Sequence, residues 1–108
     1  MLFRSAGAHI VYGTHPHVLQ RIETYKDGII YYSMGNFSFG GNAAPKDMDT
    51  APIQQEVIRQ ENGTYALGAH TIVPCSMSSD RKVNNYQPTP YEPGSAGYER
   101  VLKKLNGA

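Results

Sequence analysis

Apolar and polar positions alternate along this chain in three distinguishable rhythms, and each predicts a different kind of element. Leu2, Phe3 and Ala6 recur near helical spacing and Gly7 can end a helix, so Leu2 to Ala8 reads as the last turns of one. His9-Ile10-Val11-Tyr12 follows as a β-branched and aromatic run closed by Gly13, the pattern of a buried strand that ends in a loop. Val18 to Tyr25 and Ile29 to Met34 flank Lys26-Asp27-Gly28, with Asp27-Gly28 as the expected hairpin turn. Ile29-Ile30-Tyr31-Tyr32 is apolar on both faces and belongs between layers.

The second half repeats the hairpin pattern. Ser33 to Pro52 is rich in Gly, Pro, Asn and Asp with little periodicity, and reads as a long loop. Ile53 to Arg59 and Thr64 to Pro74 predict two strands around Asn62-Gly63. Strict alternation in the second of them puts Tyr65, Leu67, Ala69, Thr71 and Val73 on one face, and His70 on the other. Ser76 to Pro93 is polar and irregular. Ala96 to Leu105 carries Val101, Leu102 and Leu105 on one helical stripe. The order helix, strand, hairpin, loop, hairpin, irregular, helix is that of an α/β (α+β) protein with mostly antiparallel hairpins.

Bulk composition narrows the function classes. The chain has 108 residues, 40% hydrophobic and 18% charged, enough for one small unit with a thin core. A net charge of +1 without a basic run gives no electrostatic footprint for nucleic acid. No apolar stretch approaches the roughly 20 residues that span a bilayer, so this chain shows no membrane segment. The single Cys75 forms no internal disulfide and reads as a small apolar residue at a strand end.

Candidate chemistry lies in Gly13 to Gln20, GTHPHVLQ. Pro16 fixes its own φ and pushes His15 toward an extended conformation. Residues two apart in an extended segment point the same way, so the rings of His15 and His17 are expected to face one site. In a binuclear centre with metals roughly 3.5–4 Å apart, each would ligate a different ion. Two histidines on a surface loop are also an ordinary finding, and the ligand count falls short. A catalytic zinc wants about three protein ligands and a two-metal site more. His9, His70 and Cys75 stand at no metal-ligand spacing to the pair. Tyr12, Tyr25, Tyr31 and Tyr32 lie in strands and read as core packing rather than as a binding face.

Gly7 to Gly40, GAHIVYGTHPHVLQRIETYKDGIIYYSMGNFSFG, resembles the C-terminal part of the CapA/PgsA family of bacterial capsule or poly-gamma-glutamate synthesis proteins, within the calcineurin-like metallophosphoesterase superfamily. The resemblance rests on Gly-Ala-x-x-Val-x-Gly-x-His-Pro-His-Val-Leu-Gln, a two-strand spacer, and Tyr-Ser-x-Gly-Asn-Phe. Past Gly40 it is one of pattern only. The family commonly has His where Thr14 stands and Asp where His9 stands, so His9 is not counted as an inherited ligand.

The resemblance implies that residues 1–108 are the C-terminal portion of a metallophosphoesterase-like layered β-sandwich flanked by helices. It implies two divalent metal ions held in part by His15 and His17, with Thr14 and Asn36 at the site rim and the other ligands in an N-terminal half outside this chain. The parent would be a metal-dependent hydrolase acting on a phosphoester or a glutamyl polymer, and this segment alone would be inactive. It would sit at the bacterial cell surface, anchored by a segment not present here, with an anionic polymer such as poly-gamma-glutamate and the missing half as partners. Two other classes stay open: a non-catalytic polymer assembly or export factor, and a small metal-free binding module.

Overall fold

A computed structural model describes residues 5–107. Leu2 and Phe3, on which the first helix expectation rests, lie outside the described residues. The described chain is a mixed α+β arrangement of three small sheets and one helix, mostly antiparallel. The first sheet has the order β1-β3-β2, from β1 (Ile10–Tyr12), β2 (Ile22–Tyr25) and β3 (Gly28–Tyr31). β3 runs parallel to β1 and antiparallel to β2. As the central strand it is buried along its length, which is why Ile29, Ile30 and Tyr31 are apolar on both faces.

β1 departs from expectation. It joins the sheet, but as an edge strand with Ile10 41% and Tyr12 57% exposed, because among the described residues it pairs with β3 alone. Among the four tyrosines Tyr31 is buried, Tyr25 and Tyr32 are half-buried, and Tyr12 is not core. The β2–β3 turn also differs from the Asp27-Gly28 reading. Tyr25 pairs with Gly28, so Lys26 and Asp27 form the turn and Lys26 takes φ +55°.

The loop between β1 and β2 is stitched at both ends to the segment after β3. Gly13 N donates to Tyr31 O at 2.8 Å and Met34 N to Gly13 O at 3.2 Å. At the far end Gln20 N donates to Ser33 O at 2.9 Å, and Leu19 bridges Met34. Gly13 is not at a positive φ, and its need for glycine is steric. A Cβ there would lie 2.4 Å from the Tyr32 carbonyl oxygen.

β5 (Ile53–Arg59) and β6 (Tyr65–Ile72) form the second expected hairpin. Gly63 N bonds Gln60 O at 3.0 Å and Gln60 N bonds Thr64 O at 2.7 Å, with Gly63 at φ +83°. This is a type I turn followed by a left-handed glycine, one of the common hairpin closures. The strict alternation expected in β6 is broken. Gln55 pairs with His70 and Val57 with Leu67, so β6 carries one extra residue opposite β5. The bulge turns Leu67 and Ile72, five apart in sequence, toward the same core, while Tyr65, Ala69, Thr71 and Val73 stay exposed. It also brings His70 to the Leu67 side, where its ring stands 6.1 Å from Tyr31.

The two stretches expected to be irregular contribute a third sheet. β4 (Asp49–Thr50), β7 (Cys75–Ser76) and β8 (Thr89–Pro90) pair in the order β4-β7-β8. Met34, Asp49, Thr50 and Ala51 of the supposed long loop are buried, as are Cys75, Met77, Ser78 and Asn84. Asn84 holds the rest of that loop through Phe39 O at 2.7 Å. Helix α1 (Ala96–Leu105) spans the expected residues, capped by Ser95, whose hydroxyl accepts from Tyr98 N. Its Val101 and Leu105 meet Leu19, Ile29, Tyr31, Met34 and Ala51 in the core.

The radius of gyration is 15.3 Å, against about 13 Å for a compact domain of this length. Much apolar surface therefore stays in water, at the open β1 edge and at Val57, Ile58 and Tyr65 of the β5–β6 hairpin. Two outcomes follow from this packing. Gly13→Ala should lower unfolding free energy by about 1–3 kcal/mol, read as a drop in urea midpoint; an unchanged midpoint contradicts the close approach. The 108-residue chain should sediment with a concentration-dependent coefficient, and Ile10→Lys on the open edge should shift it toward monomer; a concentration-independent monomer contradicts this.

Candidate functional site

GTHPHVLQ does not run extended. His17 N donates to Thr14 O at 2.9 Å, closing a tight turn over His15 and Pro16, and His17 takes φ +61°. The two rings nevertheless come together, with centroids 5.9 Å apart and planes tilted by 54°. The juxtaposition expected from an extended pair is thus reached by a turn. Both histidines are exposed, as is Thr14, whose carbonyl sets the turn.

Asn36 sits beside them and is buried at 7% exposure. His17 Nδ1 is 2.7 Å from Asn36 Oδ1, Asn36 Nδ2 donates to His17 O at 3.3 Å, and the Phe39 ring centroid is 5.0 Å from that of His17. Asn36 follows Gly35, which at φ +72° bridges Thr50 so closely that a Cβ would meet Asp49 O at 2.6 Å. Thr50 Oγ1 donates to Met34 O at 2.9 Å in the same place. The strand-ending Ser-Met-Gly-Asn segment is therefore pinned to the core before it reaches His17.

Two adjacent imidazoles on an exposed, fixed loop suit a divalent transition metal as nitrogen donors. Two such donors fall short of the three or more protein ligands that a metal site takes. Among the described residues no group of three or more His, Cys, Asp or Glu side chains is placed to hold a metal. His9 lies 3.9 Å from Asp27, both exposed, and His70 lies against Tyr31; neither joins the pair.

The strongest electrostatic feature lies elsewhere and was not legible in the spacing of residues. The Asp49 side chain, 3% exposed, accepts from Arg100 Nε at 2.7 Å and Nη2 at 2.8 Å, from Lys104 Nζ at 2.6 Å, and from Tyr91 OH at 2.7 Å. Lys104 also reaches Asp47 at 2.9 Å. Burial alone would raise the Asp49 carboxyl, but the hydrogen bonds from Arg100, Lys104 and Tyr91 and the charge of Lys104 outweigh it and hold it at about 2. Arg100 is raised by its bond to Asp49. Burial first, then Asp49, pushes Tyr91 up. Lys104, which burial would lower, is raised by its bonds to Asp49 and Asp47.

These groups line a cleft of about 750 Å³ that does not include His15 or His17. Within the hydrogen-bonded cluster two carboxylates meet two cations and fasten α1 to β4, while Lys46 and Arg81 also line the cleft and leave it with an excess of positive charge. The only sequence signals were Asp47 and Asp49 on one strand parity and Arg100 and Lys104 four apart on a helix, too common to pair across fifty residues.

The fold and the loop define a class: a mixed α+β segment that presents two neighbouring histidines on a turn anchored by an Asn-bearing strand end. Residues 2–41 match the family profile described as "Bacterial capsule synthesis protein PGA_cap". The chain is 47% identical over 62 residues to the "Capsule biosynthesis protein CapA" of Bacillus anthracis, covering 57% of this chain and 14% of that protein. It is 35% identical over 78 residues to the "PGA biosynthesis protein CapA" of Bacillus subtilis (strain 168), covering 69% of this chain and 20% of that protein. The chain thus carries a CapA-family segment, and it spans a fifth or less of the length of these relatives. No solved structure matches it.

The depressed Asp49 carboxyl sets a pH window. Its folded value, about 2, lies below the ordinary 3.8, so its stabilisation is present above that ordinary value and is lost as pH falls through the folded one. The chain should lose about 2 kcal/mol more stability between about pH 5 and pH 2 than Asp49→Asn does. Denaturant titrations across this range check it; parallel losses in the two proteins would contradict the network.

Proposed function

We propose that this chain is the C-terminal portion of a CapA-type protein of bacterial capsule production, and that His15 and His17 are metal ligands in the complete polypeptide. The observation that carries the reading is the pair of exposed imidazoles, 5.9 Å apart on a loop bonded at both ends to the Tyr-Ser-x-Gly-Asn segment. Those two motifs are the ones on which the likeness to CapA proteins rests, and in this fold they form one structural unit.

In this reading the complete polypeptide has the metallophosphoesterase-like layered sandwich, and an N-terminal half brings the other ligands. The open edge of β1, with Ile10 and Tyr12 in water, supports a sheet that continues into further chain. His15 and His17 contribute imidazole nitrogen donors, Thr14 sets the turn that joins them, and the bonds through Gly13 and Gln20 keep the loop from swinging. Divalent metal bound there would supply an activated water and positive charge at a phosphoryl or acyl oxyanion. The substrate class is a phosphoester or a glutamyl polymer such as poly-gamma-glutamate, and the place of action is the cell surface.

A second reading is favoured by the short ligand count: a CapA-type assembly or export factor that keeps the histidine turn without catalysis. The two separate cleanly. His15→Ala with His17→Ala, in the polypeptide as the cell makes it, should abolish capsule polymer output and remove bound metal while leaving protein level unchanged. Loss of metal with full polymer output would favour the assembly factor, and no metal in the unmutated protein would overturn the ligand assignment.

A further inference from the structure

His17 and His15 are not equivalent. Among the described residues His15 has no hydrogen-bond partner for its ring, whereas His17 is held by Asn36 at two points. The orientation of that carboxamide is determined by its surroundings. Asn36 Nδ2, which only donates, faces the carbonyl oxygen of His17 at 3.3 Å, so Oδ1 is the atom 2.7 Å from His17 Nδ1. An oxygen with no hydrogen at that distance requires Nδ1 to carry one. A neutral imidazole has a single N–H, and the lone pair is then on Nε2.

We propose that Asn36 is a positioning residue that locks neutral His17 in the Nδ1–H tautomer and presents Nε2 as its one free donor nitrogen. Free imidazole side chains in water favour the opposite tautomer, so the lock changes which nitrogen a cation meets. Three features keep it rigid. The left-handed backbone at His17, φ +61°, turns its carbonyl toward Asn36. Phe39 lies 5.0 Å from the ring, limiting its rotation. Gly35, with no room for a Cβ against Asp49, holds Asn36 in place. An outer carbonyl on Nδ1 is also the arrangement that orients histidine ligands and raises their basicity.

The tautomer needs no metal to be read. Long-range proton–nitrogen NMR at about pH 8.5, where imidazole is neutral, should show His17 Nδ1 as the protonated nitrogen and Nε2 as the bare one. Asn36→Leu should return His17 to a mixture dominated by Nε2–H, with Gly13 and Met34 amide shifts unchanged as the sign of an intact fold. Asn36→Asp, which keeps an oxygen at Nδ1, should restore the Nδ1–H form. An Nε2–H tautomer in the unmutated chain overturns the proposal, and so does a tautomer indifferent to Asn36→Leu in a chain that keeps those amide shifts.

The consequence for a cation rests on the metal reading above, and zinc added alone separates the two. Zinc should perturb Nε2 of His17 rather than Nδ1, with affinity falling about tenfold in Asn36→Leu. Perturbation at Nδ1 overturns the lock. No perturbation of His17 at all, with the tautomer as described, counts against the metal reading and leaves the lock standing.

Discussion

The close approach of Gly13 to the Tyr32 carbonyl is the constraint on which the histidine loop depends. Any side chain at position 13 would occupy the space of a backbone oxygen, 2.4 Å from its Cβ. Because that space is free, the loop can start by bonding Tyr31 and Met34 and end by bonding Ser33. A segment of eight residues that would otherwise wander is thereby closed on a strand end that is itself buried. His15 and His17 inherit their position from this closure, and Asn36 reaches His17 because it lies on the same strand end.

The second half of the chain supports that unit from behind. Asp49 sits under Gly35, and its carboxylate collects Arg100, Lys104 and Tyr91 from beyond the second hairpin. A buried carboxylate is costly unless its lone pairs are filled, and here four hydrogen bonds fill them. The network ties α1 to β4, and β4 to the Met34–Gly35 segment through Thr50. The ion cluster and the histidine turn both rest on one short piece of backbone, Met34 to Asn36. Stability and candidate chemistry thus share an anchor.

How much of this was legible in the sequence follows from the range of the interactions. The β3 run, the β5–β6 hairpin and α1 are set by local patterns: an apolar stretch, a Gly63 at left-handed angles, a Ser95 cap ahead of Val101 and Leu105. β4, β7 and β8 are two residues each and exist only through partners far along the chain, so no local rhythm marks them. The bulge in β6 reversed the expected inside and outside because a single extra residue flips a strand face. The His15 and His17 pair was visible from spacing, yet its geometry was misread, since Pro16 with a left-handed His17 makes a turn instead of an extended pair. Asn36 was placed at the site rim from the resemblance alone; its two bonds to His17 required the fold.

The histidine loop and the Ser33–Asn36 segment form one cooperative unit. Native-state hydrogen exchange of the amides of Gly13, Gln20, Tyr32 and Met34 tests it most directly, since Gly13 donates to Tyr31 O, Gln20 to Ser33 O, Tyr32 to Arg21 O and Met34 to Gly13 O, the bonds that close the loop and its exit on the end of β3 and the residues after it. These four amides should be protected and should open together with a common free energy and a common denaturant dependence. Unprotected Gly13 and Gln20 beside a protected Tyr32, or four unrelated opening energies, would show that the loop is not held by the strand end and would contradict the account.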